Sequence, residues 1–337
     1  MNRKQKLLDG LDVPRLSGME IGPLFRPLVT KSEGNVIYID HVDTESLRNK
    51  YRNDSSIDLA SIVEIDAVWG AQTLRECINR RSVDYVIASH VIEHVPDLIT
   101  WLEELRSVLK RNGELRLAIP DKRFTFDLIR RETELCDVLS AHIAHARVPQ
   151  PICILDHLLN VSRVDARLAW DGALDASSVE RHHRLADAIP PARDALENGT
   201  YHDVHCWTFT PYSFAALFEE LARAELIHFS CDNFFDTERY EIEFFITLKV
   251  SGNQNQIVNS WASMKNATRK PIVRSALPGS ETLEGMLASE RSCNLALIKE
   301  LDAAHCMIRD FEESTSWRLT EPLRSVVSAL RRIGLGV

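Results

Sequence analysis

A chain of 337 residues that is 45% hydrophobic can bury a sizeable core, and its formal net charge of −9 argues against nucleic acid as a main partner. Seven cysteines without a CxxC pair argue against a disulfide frame or a zinc site and fit reduced thiols. No run approaches the ~18 apolar residues of a membrane span, and the basic opening MNRKQKLLDGLD has no apolar stretch behind it, so a cytoplasmic protein is expected.

Apolar periodicity alternates between short strand-like and longer helical runs. Met19 to Ile21 reads as a first strand closing on Gly22-Pro23, and Asn35 to Ile39 as a second ending at Asp40. Thr44 to Tyr51 reads as a short helix. Ser61 to Ile65 reads as a third strand ending at Asp66, Gly70 to Asn79 as a helix, and Val83 to Ala88 as a fourth strand. Leu98 to Lys110 has helical spacing with Asn112-Gly113 as its stop, and Glu114 to Ile119 reads as a fifth strand ending at Pro120-Asp121. This alternation predicts a doubly wound, mostly parallel α/β sheet that binds ligands at the carboxyl ends of its strands.

From Thr125 to about Cys206 the alternation breaks into a mostly helical insertion rich in His, Arg and Pro. Thr210-Pro211 is an N-cap followed by proline at the first helical position, and that helix runs to about Ala224. Tyr240 to Val250 reads as a long strand. Residues 251–280 are polar and read as a linker, and 281–337 as a helical tail, so the catalytic domain is expected to span 1–250.

The strand ends carry the residues of interest. Gly22 lets the backbone approach a ligand closely, and Asp40 can accept two hydrogen bonds from a ribose diol. Asp66 could accept from an adenine amino group, with Ala67, Val68 and Trp69 beside the ring. A bland turn explains Gly22 alone; the series of strand-end acids favours a nucleoside cofactor.

The stretches Met-Glu-Ile-Gly-Pro-Leu (19–24), Tyr-Ile-Asp-His (38–41), Asp-Tyr-Val-Ile-Ala-Ser-His-Val-Ile-Glu-His-Val-Pro-Asp (84–97) and Leu-Lys-Arg-Asn-Gly-Glu-Leu-Arg-Leu-Ala-Ile-Pro-Asp (109–121) resemble class I S-adenosylmethionine-dependent methyltransferases over roughly residues 15–250. The resemblance implies a Rossmann-like fold and S-adenosylmethionine as cofactor. It places Glu20, Gly22 and Pro23 in the cofactor turn, Asp40 at the ribose and Asp66 with Ala67 at the adenine. Ser89 and His90 fall where the fourth strand faces the methyl group. One departure is Leu24, where the family's turn usually carries a second glycine.

Methylating a hydroxyl requires a base titrating near neutrality, and His202, His205 and His90 are the candidates. The competing reading of each is a histidine that hydrogen-bonds backbone and anchors the insertion. Metal ligation by His202, His205 and a carboxylate is not expected from so common a spacing. Lys122 and Arg123 could hold an anionic or sugar-phosphate substrate, or form a solvated turn. Trp207 could offer a stacking face or belong to the core.

Ser314 to Arg324 resembles a short element near the ends of many bacterial polysaccharide glycosyltransferases and their associated methyltransferases. The amphipathic basic end suits peripheral docking on an inner membrane or a glycosyltransferase complex, or simple capping. The resulting expectation is O-methylation of a sugar or cell-surface glycan intermediate. A non-catalytic, cofactor-binding scaffold is the alternative, and a nicotinamide dehydrogenase is disfavoured by the lack of GxGxxG.

Overall fold

The computed structural model describes residues 1–70, 72–176 and 179–268. The expected tail, the Ser314–Arg324 element and the linker beyond 268 lie outside the described residues. Helix α1 (Arg3–Leu7) leads into β1 (Ser17–Ile21) and β2 (Asn35–Asp40), followed by α2 (Thr44–Lys50), β3 (Ala67–Val68), α3 (Leu74–Cys77), β4 (Val83–Ser89), α4 (Leu98–Val108) and β5 (Leu109–Pro120). The seven-stranded sheet has the order β3-β2-β1-β4-β5-β7-β6, in which β6 is Phe229–Phe235 and β7 is Glu243–Val250. Strands β1 to β5 are parallel, and β7 runs antiparallel to both β5 and β6. This is the expected Rossmann-like, mostly parallel sheet.

Side chains alternate across the pleat. Met19, Ile37, Val86, Leu117 and Ile246 face α3, α4 and the later helices, while Tyr38, Tyr85, Ile87, Ala118 and Phe245 pack with Leu7 of α1 and with Leu28 and Val29. Asp97 caps α4 by accepting from Thr100 N at 3.0 Å, and the helix buries Leu98, Leu102 and Leu105 on one face. It ends earlier than its periodicity suggests, at Val108. Leu109 already pairs with Val83, and Asn112-Gly113 lie inside β5.

The insertion holds α5 (Leu135–Ile143), α6 (Pro151–Asn160), α7 (Ala166–Trp170) and α8 (Leu185–Asn198). Helix α9 (Pro211–Arg223) starts as expected, with Thr210 Oγ1 accepting from Ser213 N at 3.1 Å, and buries Phe214, Leu217, Phe218 and Leu221.

Two sequence expectations need correction. The third strand lies after Asp66, because the Asp66 amide donates to Tyr38 O at 2.9 Å and its Oδ2 accepts from Tyr38 N at 2.8 Å. Ladder pairing then begins with Ala67 opposite Ile39. Residues 254–268 are no linker but helix α10 (Gln254–Thr268), which buries Ile257, Trp261 and Met264. Trp261 Nε1 donates to Phe229 O at 2.8 Å, and its ring lies 4.8 Å from that of Phe218. The polar residues of α10 hide this stripe in a composition reading. Strand β6 also escapes that reading, because Asp232 and Asn233 interrupt its apolar pattern at a register shift.

Candidate active site at the carboxyl edge of the sheet

The carboxyl ends of β1, β2, β4 and β5 meet the amino end of antiparallel β7 along one edge of the sheet. Gly22, Asp40, Ser89, His90 and Glu243 are gathered there.

Gly22 adopts φ +66°, and its amide donates to Ile39 O at 2.9 Å. A Cβ there would meet Val91 Cγ2 at 3.3 Å, so the turn stays open only for glycine. Pro23 is buried just behind it. Leu24 has φ +45°, the left-handed conformation that glycine adopts freely and other residues adopt under strain. The backbone thus keeps a glycine-like shape where the turn that this sequence resembles carries a second glycine.

Glu20 shapes this turn without facing outward. Its Oε1 accepts from Leu28 N at 2.8 Å and its Oε2 from Val29 N at 3.2 Å. Burial pushes its carboxyl up to about 7 against the lowering by those two amides. Glu20 therefore organises the loop, and a direct contact with cofactor is not where its oxygens point.

Asp40 is buried at the end of β2, and its Oδ1 accepts from His41 N at 2.7 Å. Among the described residues its Oδ2 has no hydrogen-bond partner, which suits a ribose hydroxyl. Asp66 sits at the amino end of β3, away from the ligand edge, with Oδ1 2.5 Å from Lys31 Nζ. The carboxyl end of β3 is supplied by Val68 and Trp69, and the Trp69 amide donates to Asp40 O at 2.8 Å. Ala67 remains in the strand, opposite Ile39.

The residue after β4 is His90, held at φ +54°, with its amide donating to Ala118 O at 3.0 Å. Its Nε2 lies 2.7 Å from Glu243 Oε2, and its Nδ1 lies 3.6 Å from Glu93 Oε1. Arg3 Nε donates to Glu243 Oε1 at 2.7 Å, and Arg3 also reaches Ser89 Oγ. Burial alone would raise the Glu243 carboxyl, but the bonds from His90 and Arg3 outweigh it and leave it below the usual range. Glu243 and Arg3 were not signalled by the sequence. They come to the edge from opposite ends of the domain.

The other base candidates lie elsewhere. His202 Nε2 lies 2.9 Å from Asp194 Oδ2 on α8, which fits the anchoring reading of that histidine. His205 is buried, with Nδ1 2.6 Å from Asp127 Oδ2. Arg130 completes that knot, donating to Asp127 Oδ1 at 2.8 Å and to His205 O at 2.9 Å. Burial would raise Asp127, but His205 and Arg130 hold it at about 2.

The proposed substrate residues are mostly committed internally. Lys122 Nζ donates to Leu128 O at 2.8 Å, and burial lowers its ammonium. Arg123 grips Asp121, with Nε at 2.9 Å from Oδ1. Trp207 belongs to the core and offers no stacking face. It is 2% exposed and its Nε1 donates to Val95 O at 2.8 Å.

Residues 20–117, from β1 through most of β5, match the family model of a methyltransferase domain. The match supports a class I S-adenosylmethionine-dependent methyltransferase, with S-adenosylmethionine as its cofactor. No curated protein matches the chain. Among solved structures, the chain is similar to a protein described as a Zn-dependent alcohol dehydrogenase from Rhodobacter sphaeroides (14% identity, 74% of this chain, 89% of that chain, TM-score 0.38). It is also similar to DhpI in complex with SAH (13%, 70%, 78%, 0.33). A third is magnesium protoporphyrin IX methyltransferase from Synechocystis PCC 6803 with bound SAH (13%, 71%, 76%, 0.30). These likenesses are remote, and none bears on the chemistry of this chain. Among the described residues, no helix is long and apolar enough to cross a membrane.

Proposed function

We propose that the chain transfers a methyl group from S-adenosylmethionine to a hydroxyl of a sugar or cell-surface glycan intermediate. The observation that carries this reading is the His90–Glu243 pair beside the Gly22 turn and Asp40. The residues present fit the cofactor: Gly22 leaves its backbone bare, Leu24 keeps a glycine-like turn, and Asp40 has a free oxygen. Bound S-adenosylmethionine supplies an electrophilic methyl group. With Nε2–H given to Glu243, His90 carries its lone pair on Nδ1 and can take the acceptor's proton. Glu243 then stabilises the imidazolium, while Arg3 holds Glu243 and Ser89 in place. The sugar class rests on the resemblance of Ser314–Arg324, and the hydroxyl on the presence of a base where the methyl group is expected. Because Leu24 adopts the backbone of a glycine, the scaffold alternative loses one of the two features that motivated it, the other being the docking-like tail.

The reading is tested by incubating the protein with methyl-labelled cofactor and extracted glycan intermediates, with His90→Ala as control. Label in a sugar fraction, absent from the control, is expected. Cofactor binding by calorimetry without transfer to any sugar fraction would overturn the acceptor assignment.

A further inference from the structure

Glu93 is fully buried, and among the described residues neither carboxylate oxygen has a hydrogen-bond partner. A bare carboxylate costs several kcal/mol to bury unless something positive answers it. Its surroundings supply donors of the right kind. One ligand atom from each of Glu93, His94 and His205 lies within 4.8 Å of the others. The two imidazole rings stand nearly perpendicular with centroids 4.7 Å apart.

The chain builds this cluster through its backbone. Glu93 and His94 lie in the short 3-10 turn Ile92–His94 after β4. The Glu93 carbonyl accepts from Cys206 N at 2.6 Å and from Trp207 N at 3.2 Å, which draws His205 alongside. Each histidine has a carboxylate on its Nδ1 side: Asp127 Oδ2 lies 2.6 Å from that of His205, and Asp203 Oδ1 lies 2.9 Å from that of His94. The contact at His205 is a hydrogen bond, whereas Nδ1 of His94 has no hydrogen-bond partner among the described residues, so each ring keeps a nitrogen for another partner. A carboxylate behind an imidazole is the arrangement that orients metal-bound histidines and strengthens them as ligands.

We propose that Glu93, His94 and His205 bind a divalent transition-metal cation of the Zn²⁺ type. Two imidazoles and one carboxylate form a borderline-soft donor set that leaves coordination positions open, and their atoms, within 4.8 Å of one another, would close on the ion to the ~2.0–2.2 Å bonds such ions require. The proposal departs from the sequence-based expectation of no metal because of Glu93, which spacing alone could not place beside His205. The cation has a use that rests on the methyltransferase reading. His90 Nδ1 lies 3.6 Å from Glu93 Oε1, so an acceptor oxygen taken up by the cation comes within reach of the His90–Glu243 pair. Coordination would polarise that hydroxyl and ease loss of its proton to His90.

The test uses the full chain, stripped by chelator and titrated with Co²⁺ alone while visible absorption is followed, with Zn²⁺ added to compete. About one equivalent of Co²⁺ displaced by Zn²⁺ is expected, with affinity falling at least ~10-fold in both Glu93→Gln and His94→Ala. His94 is partly exposed and lies outside the Asp127–Arg130 knot, so His94→Ala keeps the test usable if Glu93→Gln fails to fold. A saturable site in the wild-type chain that is weakened in every folded variant of the two supports the proposal. No saturable binding, or undiminished binding in any folded variant, overturns it. Calorimetry of the stripped chain with S-adenosylmethionine reads the cofactor site separately, so failure of the metal site and failure of the methyltransferase reading remain distinguishable.

Discussion

His90 Nε2 lies 2.7 Å from Glu243 Oε2, which joins the residue after β4 to the first residue of β7 across 153 positions of sequence. The contact exists because β7 enters the sheet antiparallel beside β5, so its amino end shares an edge with the carboxyl ends of the parallel strands. A histidine bound to a carboxylate has a fixed tautomer and orientation, which a general base needs before an acceptor arrives.

His90→Ala should therefore lower turnover by about two to four orders of magnitude while leaving S-adenosylmethionine affinity intact. Glu243→Gln should cost less and alter the pH profile, because the amide can still take a bond from His90 but cannot stabilise its charged form. Steady-state rates alongside calorimetric cofactor binding check this. An equal loss of cofactor binding in both variants would assign the pair a structural role.

The cofactor turn gives a second prediction. Asp40→Ala should weaken S-adenosylmethionine binding by about 1.5–3 kcal/mol, the scale of a hydrogen bond to a charged group. Gly22→Val should be worse, because φ +66° and the nearby Val91 both oppose a branched side chain. Leu24→Gly, by contrast, should preserve binding, because glycine adopts the same backbone without the ~1–2 kcal/mol left-handed penalty. Loss of affinity in Leu24→Gly would show that the leucine side chain, and not its backbone, matters.

Stability should depend on pH through two buried carboxyls of opposite sign. Glu20 is raised from 4.5 to about 7, so its contribution is fully present below about 4.5 and lost as pH rises through 7, by on the order of 3 kcal/mol. Asp127 is lowered from 3.8 to about 2, so its contribution is present above about 4 and lost as pH falls towards 2, by roughly 2 kcal/mol. Urea midpoints measured from pH 5 to 8 should fall in the wild-type chain and stay flatter in Glu20→Gln. Identical slopes would place the titration elsewhere.

The parts of this site legible in the sequence are those fixed locally. A glycine after an apolar run and an acid after the next one mark Gly22 and Asp40, because strand ends are set by periodicity over a few residues. The place of Asp66 is not legible, because β3 has only two residues and the Ser61–Ile65 run that resembles it is not paired in the sheet. Glu243, Arg3 and the Asp127–His205 contact depend on chain segments far apart, which spacing does not encode. Trp207 illustrates the same limit. Its indole reads equally as a face or a core filler until Val95 O takes its N–H.

Helix α10 decides where the catalytic domain can be cut. A chain ending at Val250 looks safe if 251–280 is a linker, but it would remove Ile257, Trp261 and Met264 from the core. Each such side chain contributes roughly 1.5–3 kcal/mol through burial, so the loss is a large share of the ~5–15 kcal/mol that holds a domain folded. It would also bare Phe218 and leave Phe229 O without its bond from Trp261. A chain ending at Thr268 keeps every described element. The shorter product should aggregate or melt well below the longer one, and the longer one should still bind S-adenosylmethionine. Scanning calorimetry of the two, with sedimentation to detect aggregates, reads the difference. Equal melting temperatures would mean that α10 adds nothing to the core it covers.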